Sequence, residues 1–279
     1  MRIGGALFET HTIPNEWALA VTCRGYSAAY CPVGEDASDE AIAEWTKAAE
    51  RAHVIIAEVG AWGNNPISPD DDVRRSGIEG CCSRLELADR IGATCCVNVS
   101  GSRGERWAGP HEDNLTEDTF ALIVDSVREI IDTVAPTRTF YALETMPWLY
   151  PDSAQSYLDL LRAIDRDRFA VHLDPVNLVN SPERYYNSGA MIEECFALLG
   201  PHVKSCHAKD IVLEDELTLH MAECRPGAGN LDWRTFVREL GKLDDDIPVM
   251  IEHLNDPNEV RAAAAHIRNM AQVEDVAVI

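Results

Sequence analysis

Four side chains of metal-binding type stand at the ends of predicted strands in the second half of the chain. Glu144 ends the run YALE, Asp174 ends VHLD, His207 ends VKSCH and Glu252 ends VMIE. The four are 30, 33 and 45 residues apart, and each interval is about one strand-and-helix repeat, the last of them lengthened by a long loop. Three carboxylates and one imidazole are donors that suit a hard or borderline divalent cation.

A structural role explains one such residue more simply than a metal does. A single aspartate after a strand is usually a helix cap, and a single histidine there is usually a hydrogen-bonded polar residue. Four of them at equivalent positions on consecutive repeats are hard to explain in that way. The sequence therefore predicts a site for one divalent metal ion, with Mn²⁺ as the first candidate and Mg²⁺ or Co²⁺ as alternatives.

The elements that must position these side chains are short β-rich runs alternating with longer amphipathic segments. The predicted strands are residues 3–8, 27–31, 54–59, 95–99, 139–144, 170–174, 203–207 and 248–252. Such alternation is typical of a parallel sheet, and eight repeats within 279 residues predict one (β/α)8 TIM barrel over residues 1–279. An open doubly wound sheet is the alternative, but the glycine-rich turn that it needs after its first strand is absent, since Gly4 and Gly5 lie within that strand.

Three long loops follow the third, fourth and seventh predicted strands, whereas the helix-to-strand connections are short. Long loops on one face are typical of a barrel whose site lies at the carboxyl ends of its strands. Trp62, Trp107 and Trp148 lie in or beside loops of this face. We expect Trp62 and Trp148 to wall a substrate pocket, although tryptophans in loops also serve for packing alone.

Two further histidines lie close to the candidate ligands. His172 alternates with Asp174 on its strand, so both side chains should face the same way. It is therefore a candidate substrate contact, or else a packed imidazole. His253 should face away from Glu252 by the same alternation.

The net charge of −23 comes from 24 basic and 47 acidic residues. Such a surface repels polyanions, and no basic face is visible that would bind nucleic acid. No segment approaches the roughly 20 apolar residues of a membrane span, and the N-terminus lacks the apolar core of a signal peptide. We expect a soluble cytoplasmic protein with a small-molecule partner and no membrane partner. A homo-oligomer is compatible with the sequence.

The strand ends LET, HLDPVN, CHAKD and IEH, with RPGAGNLDW between the last two, resemble the xylose-isomerase-like TIM barrels. That superfamily includes ketose 3-epimerases, hydroxypyruvate isomerase, inosose dehydratase and endonuclease IV. The resemblance implies that Glu144, Asp174, His207 and Glu252 are the metal ligands and that the two glutamates also move protons. It further implies that Arg225, before Pro-Gly-Ala-Gly, is a substrate-binding arginine.

The departures from the family pattern narrow the choice of activity. The DNA-repair branch carries extra histidines for a three-metal cluster, but this chain has Asn177 and Asn98 where that branch has two of them. We therefore expect one metal ion and no endonuclease activity. Ketose epimerases commonly carry a substrate-binding histidine at the position of Asn177, which makes this asparagine a candidate substrate contact and weakens the match to a free-ketose epimerase.

The resemblance implies a divalent-metal-dependent isomerase or epimerase of a keto-sugar, which removes a proton beside a metal-chelated carbonyl through an enediolate. The alternative is a metal-dependent lyase or dehydratase of an oxidised sugar, an inosose or a keto-glycoside, including glycoside deglycosylation by elimination. A barrel that only binds a polyol or a partner subunit is a third hypothesis. The two glutamates speak against it, because binding alone does not need two ionisable bases.

Overall fold

Eight parallel strands form a nearly closed barrel, with helices between them, in the computed structural model, which describes residues 1–279. The barrel strands are β1 (Arg2–Gly5), β2 (Ala28–Tyr30), β3 (Ile55–Gly60), β4 (Cys95–Asn98), β5 (Phe140–Glu144), β6 (Phe169–Leu173), β7 (Val203–Ala208) and β10 (Pro248–Ile251). The helices are α1 (Pro14–Cys23), α2 (Asp39–Arg51), α3 (Asp71–Ile91), α4 (Glu117–Val134), α5 (Ala154–Ile164), α6 (Pro182–Tyr186), α7 (Ser188–Leu199), α8 (Trp233–Leu240) and α9 (Pro257–Val273). The predicted (β/α)8 TIM barrel is confirmed.

The order of the strands around the barrel is β1-β10-β7-β6-β5-β4-β3-β2, and every hydrogen-bonded pair is parallel. At the seam, the Ser27 N–H donates to the Ile3 carbonyl at 3.1 Å, which brings β2 beside β1. Gly4 makes this approach possible, because a Cβ there would lie 2.5 Å from the Ala28 carbonyl oxygen. The carboxyl ends of β5, β6, β7 and β10 are consequently neighbours at one mouth.

Alternation along each strand decides which side chains enter the barrel. On β6, Val171 and Leu173 belong to the apolar core shared with the helices, whereas His172 between them does not. On β10, Val249 and Ile251 pack outward and Met250 packs in a small inner cluster. The polar side chains at these strand ends therefore follow the inward-facing parity, which carries them into the mouth.

Helix caps follow the sequence signals. The side chain of Ser38 accepts a hydrogen bond from the Ala41 N–H at the start of α2, and Asp256 caps α9 immediately before Pro257. Both caps accept hydrogen bonds from backbone N–H groups that have no partner within the helix, and so they fix the residue at which each helix begins. None of the helices combines the length and the apolar character needed to cross the hydrocarbon layer of a membrane.

The seventh loop contains an element that the strand pattern did not predict. Residues Asp210–Glu214 (β8) and His220–Cys224 (β9) form an antiparallel hairpin outside the barrel sheet. Its sequence carries five acidic residues and is half polar, so it lacks the apolar run by which the barrel strands are recognised. The hairpin stands at the mouth and contributes to its wall.

Candidate active site

The four strand-end residues meet at the carboxyl mouth of the barrel. One ligand atom from each of Glu144, Asp174, His207 and Glu252 lies within 4.8 Å of the others. Nδ1 of His207 is 2.8 Å from Oε1 of Glu144 and 3.1 Å from Oε1 of Glu252. We call these four residues the carboxylate–histidine cluster. The spacing along the chain thus corresponds to convergence in space.

The two carboxylate oxygens of Asp174 have different partners. Its Oδ1 accepts the backbone N–H of Val176 at 2.9 Å and so starts the 3₁₀ turn Val176–Leu178, as a cap does. Its Oδ2 is buried, is directed into the cluster and lies 2.7 Å from Nζ of Lys209. The Thr145 hydroxyl donates to the Asp174 carbonyl at 2.7 Å and fixes the backbone at this point. A cap and a ligand are therefore compatible roles of one carboxylate.

A second buried carboxylate lies on the other side of the His207 ring. Oε1 of Glu58, from β3, is 3.1 Å from Nε2 of His207. His172 packs against the same ring at 4.0 Å between centroids, and its Nδ1 is 2.5 Å from the Ser205 hydroxyl. Glu58 therefore orients the imidazole so that Nδ1 faces the cluster, which is the arrangement of a carboxylate that supports a metal-bound histidine.

The charges around His207 set its protonation. Burial opposes the imidazolium, but Glu58, Glu252 and Glu144 outweigh it and hold the pKa of His207 well above its usual value. The neighbouring His172 has the opposite environment, because burial and the charge of His207 hold its pKa well below the usual value. His172 is consequently a neutral packing partner beside a charged ring.

Lys209 places an ammonium group among the same carboxylates. Its Nζ is 2.7 Å from Oδ2 of Asp174, 2.5 Å from Oε1 of Glu252 and 3.4 Å from Oε1 of Glu223 on the hairpin. Burial opposes the charge of Lys209, yet Asp174, Glu144 and Glu252 together raise its pKa above the ordinary value. The negative potential of the cluster is therefore strong enough to keep a cation charged out of contact with water.

The cluster has the donors that a divalent ion needs. Oδ2 of Asp174 and Oε1 of Glu252 are directed into the cluster, where the Lys209 ammonium balances their charge, and the set offers three carboxylates and one imidazole nitrogen. Oxygen-rich donors of this kind fit Mn²⁺, Mg²⁺ or Co²⁺ and involve no thiolate. Glu144, Asp174, His207 and Glu252 are thus the residues that would hold the ion.

A cavity of about 1040 Å³ opens above the cluster. Glu58, Glu144, Glu252 and Lys209 contribute to its lining, and apolar side chains from the mouth loops form most of the rest. The barrel thus presents a charged base beneath a mainly apolar chamber, a common form of small-molecule site.

The family of the chain follows from a match to a family model, which agrees with the fold and with the convergent strand ends. A family model described as a xylose isomerase-like TIM barrel matches residues 21–270. The chain belongs to this family. Among curated proteins, none matches the chain at a significant level of sequence similarity.

Solved structures of similar fold cover almost the whole chain at low sequence identity. A D-tagatose 3-epimerase-like protein has a TM-score of 0.73 and 18% identity, over 99% of this chain and 98% of that one. A 3-keto-D-glucoside 4-epimerase from E. coli has a TM-score of 0.66 and 14% identity, over 96% and 99%. A probable 3-DHS dehydratase from Bacillus anthracis has a TM-score of 0.70 and 15% identity, over 96% and 98%.

Three of the residues expected to contact substrate in this family member do line the cavity. They are Trp62, Trp148 and Asn177. The Asn177 side-chain amide donates to Oε1 of Glu144 at 3.4 Å, so it also contacts the cluster directly. Trp107, the other tryptophan of the mouth loops, lines the cavity as well.

Two other expected substrate contacts do not line the cavity. His172 is fully buried, because it precedes Asp174 by two residues and so lies one inward-facing position deeper in the barrel. Arg225 leaves the hairpin and turns toward α9, where its Nε is 2.9 Å from Oε2 of Glu259. His172 therefore packs beneath the cluster, which is the packed-imidazole alternative, and Arg225 is engaged in an ion pair beside it.

His253 also differs from expectation. It follows β10 in the left-handed region, with φ of 57°, so strand alternation no longer holds there. Its Nδ1 is 2.7 Å from Oε2 of Glu223, and its Nε2 is 3.6 Å from Oε1 of Glu252. The imidazole consequently lines the same cavity as Glu252.

The pattern of strand ends does not predict a role for Glu58 or Lys209, although each has a recognisable feature in the sequence. Glu58 interrupts the otherwise apolar run VIIAEVG, and a carboxylate in a buried strand needs a partner. Lys209 follows His207 by two residues, which places both side chains on the same side of the chain. The sequence does not predict the partners of these two residues, because those partners come from distant strands.

Proposed function

We propose that this protein is a divalent-metal-dependent epimerase or isomerase of a keto-sugar. One observation carries the proposal: Glu144 and Glu252 reach one cluster from strands β5 and β10, which β6 and β7 separate. Two carboxylates that approach a common point from different sides can remove a proton from one face of a substrate carbon and return it on the other. The epimerases among the similar structures support this reading.

A divalent ion held by Glu144, Asp174, His207 and Glu252 would supply Lewis-acid chemistry, which stabilises negative charge that develops on a substrate oxygen. Burial opposes the ionisation of Glu252, but His207 and Lys209 outweigh it and hold its pKa well below the usual value. Glu252 is therefore ionised in neutral solution. Asn177 beside Glu144 offers an amide for a substrate hydroxyl.

The fate of the proton decides the reaction class. Its return to the same carbon from the opposite face gives an epimer, and its return to the neighbouring carbon gives an isomer. If a leaving group stands β to the carbanion, the same intermediate eliminates it. The cavity, which extends well beyond the cluster, leaves room for such a group, and the dehydratase among the similar structures supports this second candidate.

Incubation in D₂O separates these reactions. The Mn²⁺-loaded protein would be mixed with D-tagatose, D-fructose and a 3-keto-glucoside, and the products followed by NMR. An epimerase or isomerase incorporates deuterium with the carbon skeleton retained, whereas a lyase releases a group. Absence of both results, or full activity in protein stripped of metal, would contradict the proposed function.

A further inference from the structure

We propose that the outer part of the cavity above the cluster is an apolar subsite. The substrate would then be a keto-glycoside with an aromatic or aliphatic aglycone, an inference that rests on the proposed function. The subsite, which we call the apolar wall, consists of Trp62, Met146, Trp148, Leu219 and Met221.

The size of the cavity argues for a substrate larger than one sugar. Its volume of about 1040 Å³ is at the upper end of the roughly 300–1000 Å³ typical of sites for drug-sized ligands. A single hexose is much smaller than such a ligand. A hexose seated at the carboxylate–histidine cluster would consequently leave part of the cavity unfilled.

The chemistry of the lining argues for an apolar substituent rather than a second sugar. Fifteen of the 25 lining residues are hydrophobic, and the charged groups Glu58, Glu144, Glu252 and Lys209 belong to the base. The uncharged polar side chains of the lining are three asparagines, Asn177, Asn180 and Asn255. Sugar hydroxyls need hydrogen-bond partners when they are buried. The other ionisable pair at the mouth, formed by Glu223 and His253, is already joined at 2.7 Å.

The exposure of the wall shows what a ligand would cover. Trp62 is 43% exposed, Trp148 is 42% exposed and Leu219 is 50% exposed, although all three line the cavity. Large apolar side chains grouped in this way around a cleft mark a binding surface. Their removal from water by an aglycone would favour binding.

The two indoles are held in place before any ligand arrives. Trp62 packs against Gly60, where a Cβ would lie 2.2 Å from the indole nitrogen. The Trp148 N–H donates to the Ala108 carbonyl at 3.0 Å. Rings fixed by the fold lose little freedom when a ligand binds, so such a wall contributes efficiently to affinity.

The wall is also close enough to serve a substituent on the reacting sugar. The ring centroids of Trp62 and His207 are 6.4 Å apart. Met146 and Trp148 follow Glu144 in the loop after β5, while Leu219 and Met221 come from the hairpin. An aglycone one bond from the sugar ring would thus reach the wall directly.

The test compares phenyl and methyl 3-keto-β-D-glucosides as ligands of the Mn²⁺-loaded protein. Stopped-flow tryptophan fluorescence measures their Kd values before turnover. We expect the phenyl compound to bind at least tenfold more tightly, since a phenyl group buries far more apolar surface than a methyl group. Equal Kd values, or no binding of either compound, would overturn the subsite.

Two variants assign the effect to the wall. Trp148→Ala should bring the two Kd values to within about twofold while the Mn²⁺ affinity is unchanged, because its indole is not part of the cluster. Tyr186→Ala removes an exposed aromatic residue that does not line the cavity and should retain the preference. A preference that survives Trp148→Ala would count against the subsite as defined here.

The outcome is separable from that of the proposed function. Equal binding of the two compounds together with deuterium exchange of either would remove the subsite and leave the proposed function standing. Tighter binding of the phenyl compound, without deuterium exchange, elimination or metal-dependent activity, would support the subsite and contradict the proposed function.

Discussion

Glu58 and His207 form a buried pair across the barrel, with Oε1 of Glu58 3.1 Å from Nε2 of His207. The opposite nitrogen of the same ring, Nδ1, faces Glu144 at 2.8 Å. The carboxylate of Glu58 therefore fixes the orientation of the ring, and the other ring nitrogen, Nδ1, is directed into the cluster, where a cation would bind. Five predictions follow from this arrangement and from the cluster around it.

Glu58→Gln should weaken Mn²⁺ binding about 10–100-fold, because a carboxylate behind a metal-bound histidine fixes its tautomer and raises its basicity. Calorimetric titration of the metal-free protein with Mn²⁺ measures the change. Glu239→Gln is a matched control, since Glu239 is also buried but pairs with Lys242 away from the cluster. Unchanged affinity in a folded Glu58→Gln protein would show that Glu58 does not position His207.

Metal binding should release protons at neutral pH. His207 is charged there, because the surrounding carboxylates outweigh burial and raise its pKa, and Nδ1 must lose its proton before it can bind a metal ion. We expect roughly one proton per ion at pH 7, measured by calorimetry in buffers of different ionisation enthalpy. Release of none would contradict the assignment of His207 as a ligand.

The same linkage predicts how affinity depends on pH. Burial raises the pKa of Asp174 to about 6, against the opposing effect of Lys209. A raised carboxyl pKa means that the proton competes with the metal ion at higher pH than usual. The Mn²⁺ affinity should therefore rise with pH through the neutral range, because the protonated His207 must lose its proton on binding, and fall more steeply below about pH 6. A pH-independent affinity between pH 5 and pH 8 would be inconsistent with this cluster.

Glu144→Gln and Glu252→Gln should each lower kcat by at least the roughly 10²–10⁴-fold typical of acid–base groups, since either change keeps the size and removes the base. The variant that lacks the first base should also lose solvent exchange at the substrate carbon. The variant that lacks only the reprotonating acid should retain exchange and lose product. Metal occupancy has to be measured in both, and wild-type turnover in both metal-loaded variants would refute the proton-transfer assignment.

Lys209→Met should destabilise the metal-free protein, because it leaves Asp174 and Glu252 as buried carboxylates without their cation. Loss of one partner of a buried ion pair typically costs about 3–5 kcal/mol. Thermal unfolding in EDTA should show a clear decrease in Tm, which Mn²⁺ should largely restore. Lys242→Met, which removes a largely exposed partner of Glu239, should change Tm little. A Lys209→Met protein as stable as the wild type in EDTA would show that Lys209 does not balance the cluster.

The sequence by itself determined the barrel and the convergence of four side chains. Strand periodicity and the near-regular spacing of Glu144, Asp174, His207 and Glu252 are local patterns, and the barrel topology turns equal positions on consecutive repeats into neighbours in space. The predicted strand bounds differ from the observed ones by at most a few residues. The roles of the four as metal ligands and of the glutamates as bases remain predictions.

Only the tertiary structure decided which other groups share the site. Glu58 comes from β3, on the far side of the barrel from β7, and no local pattern says that its carboxylate meets His207. The position of Arg225 depends on the hairpin that precedes it, and that of His253 depends on its left-handed backbone conformation. Strand alternation describes neither feature. Periodicity fixes direction within one strand, whereas the partners of a side chain depend on contacts between segments that are distant in the chain, and those exist only once the barrel has closed.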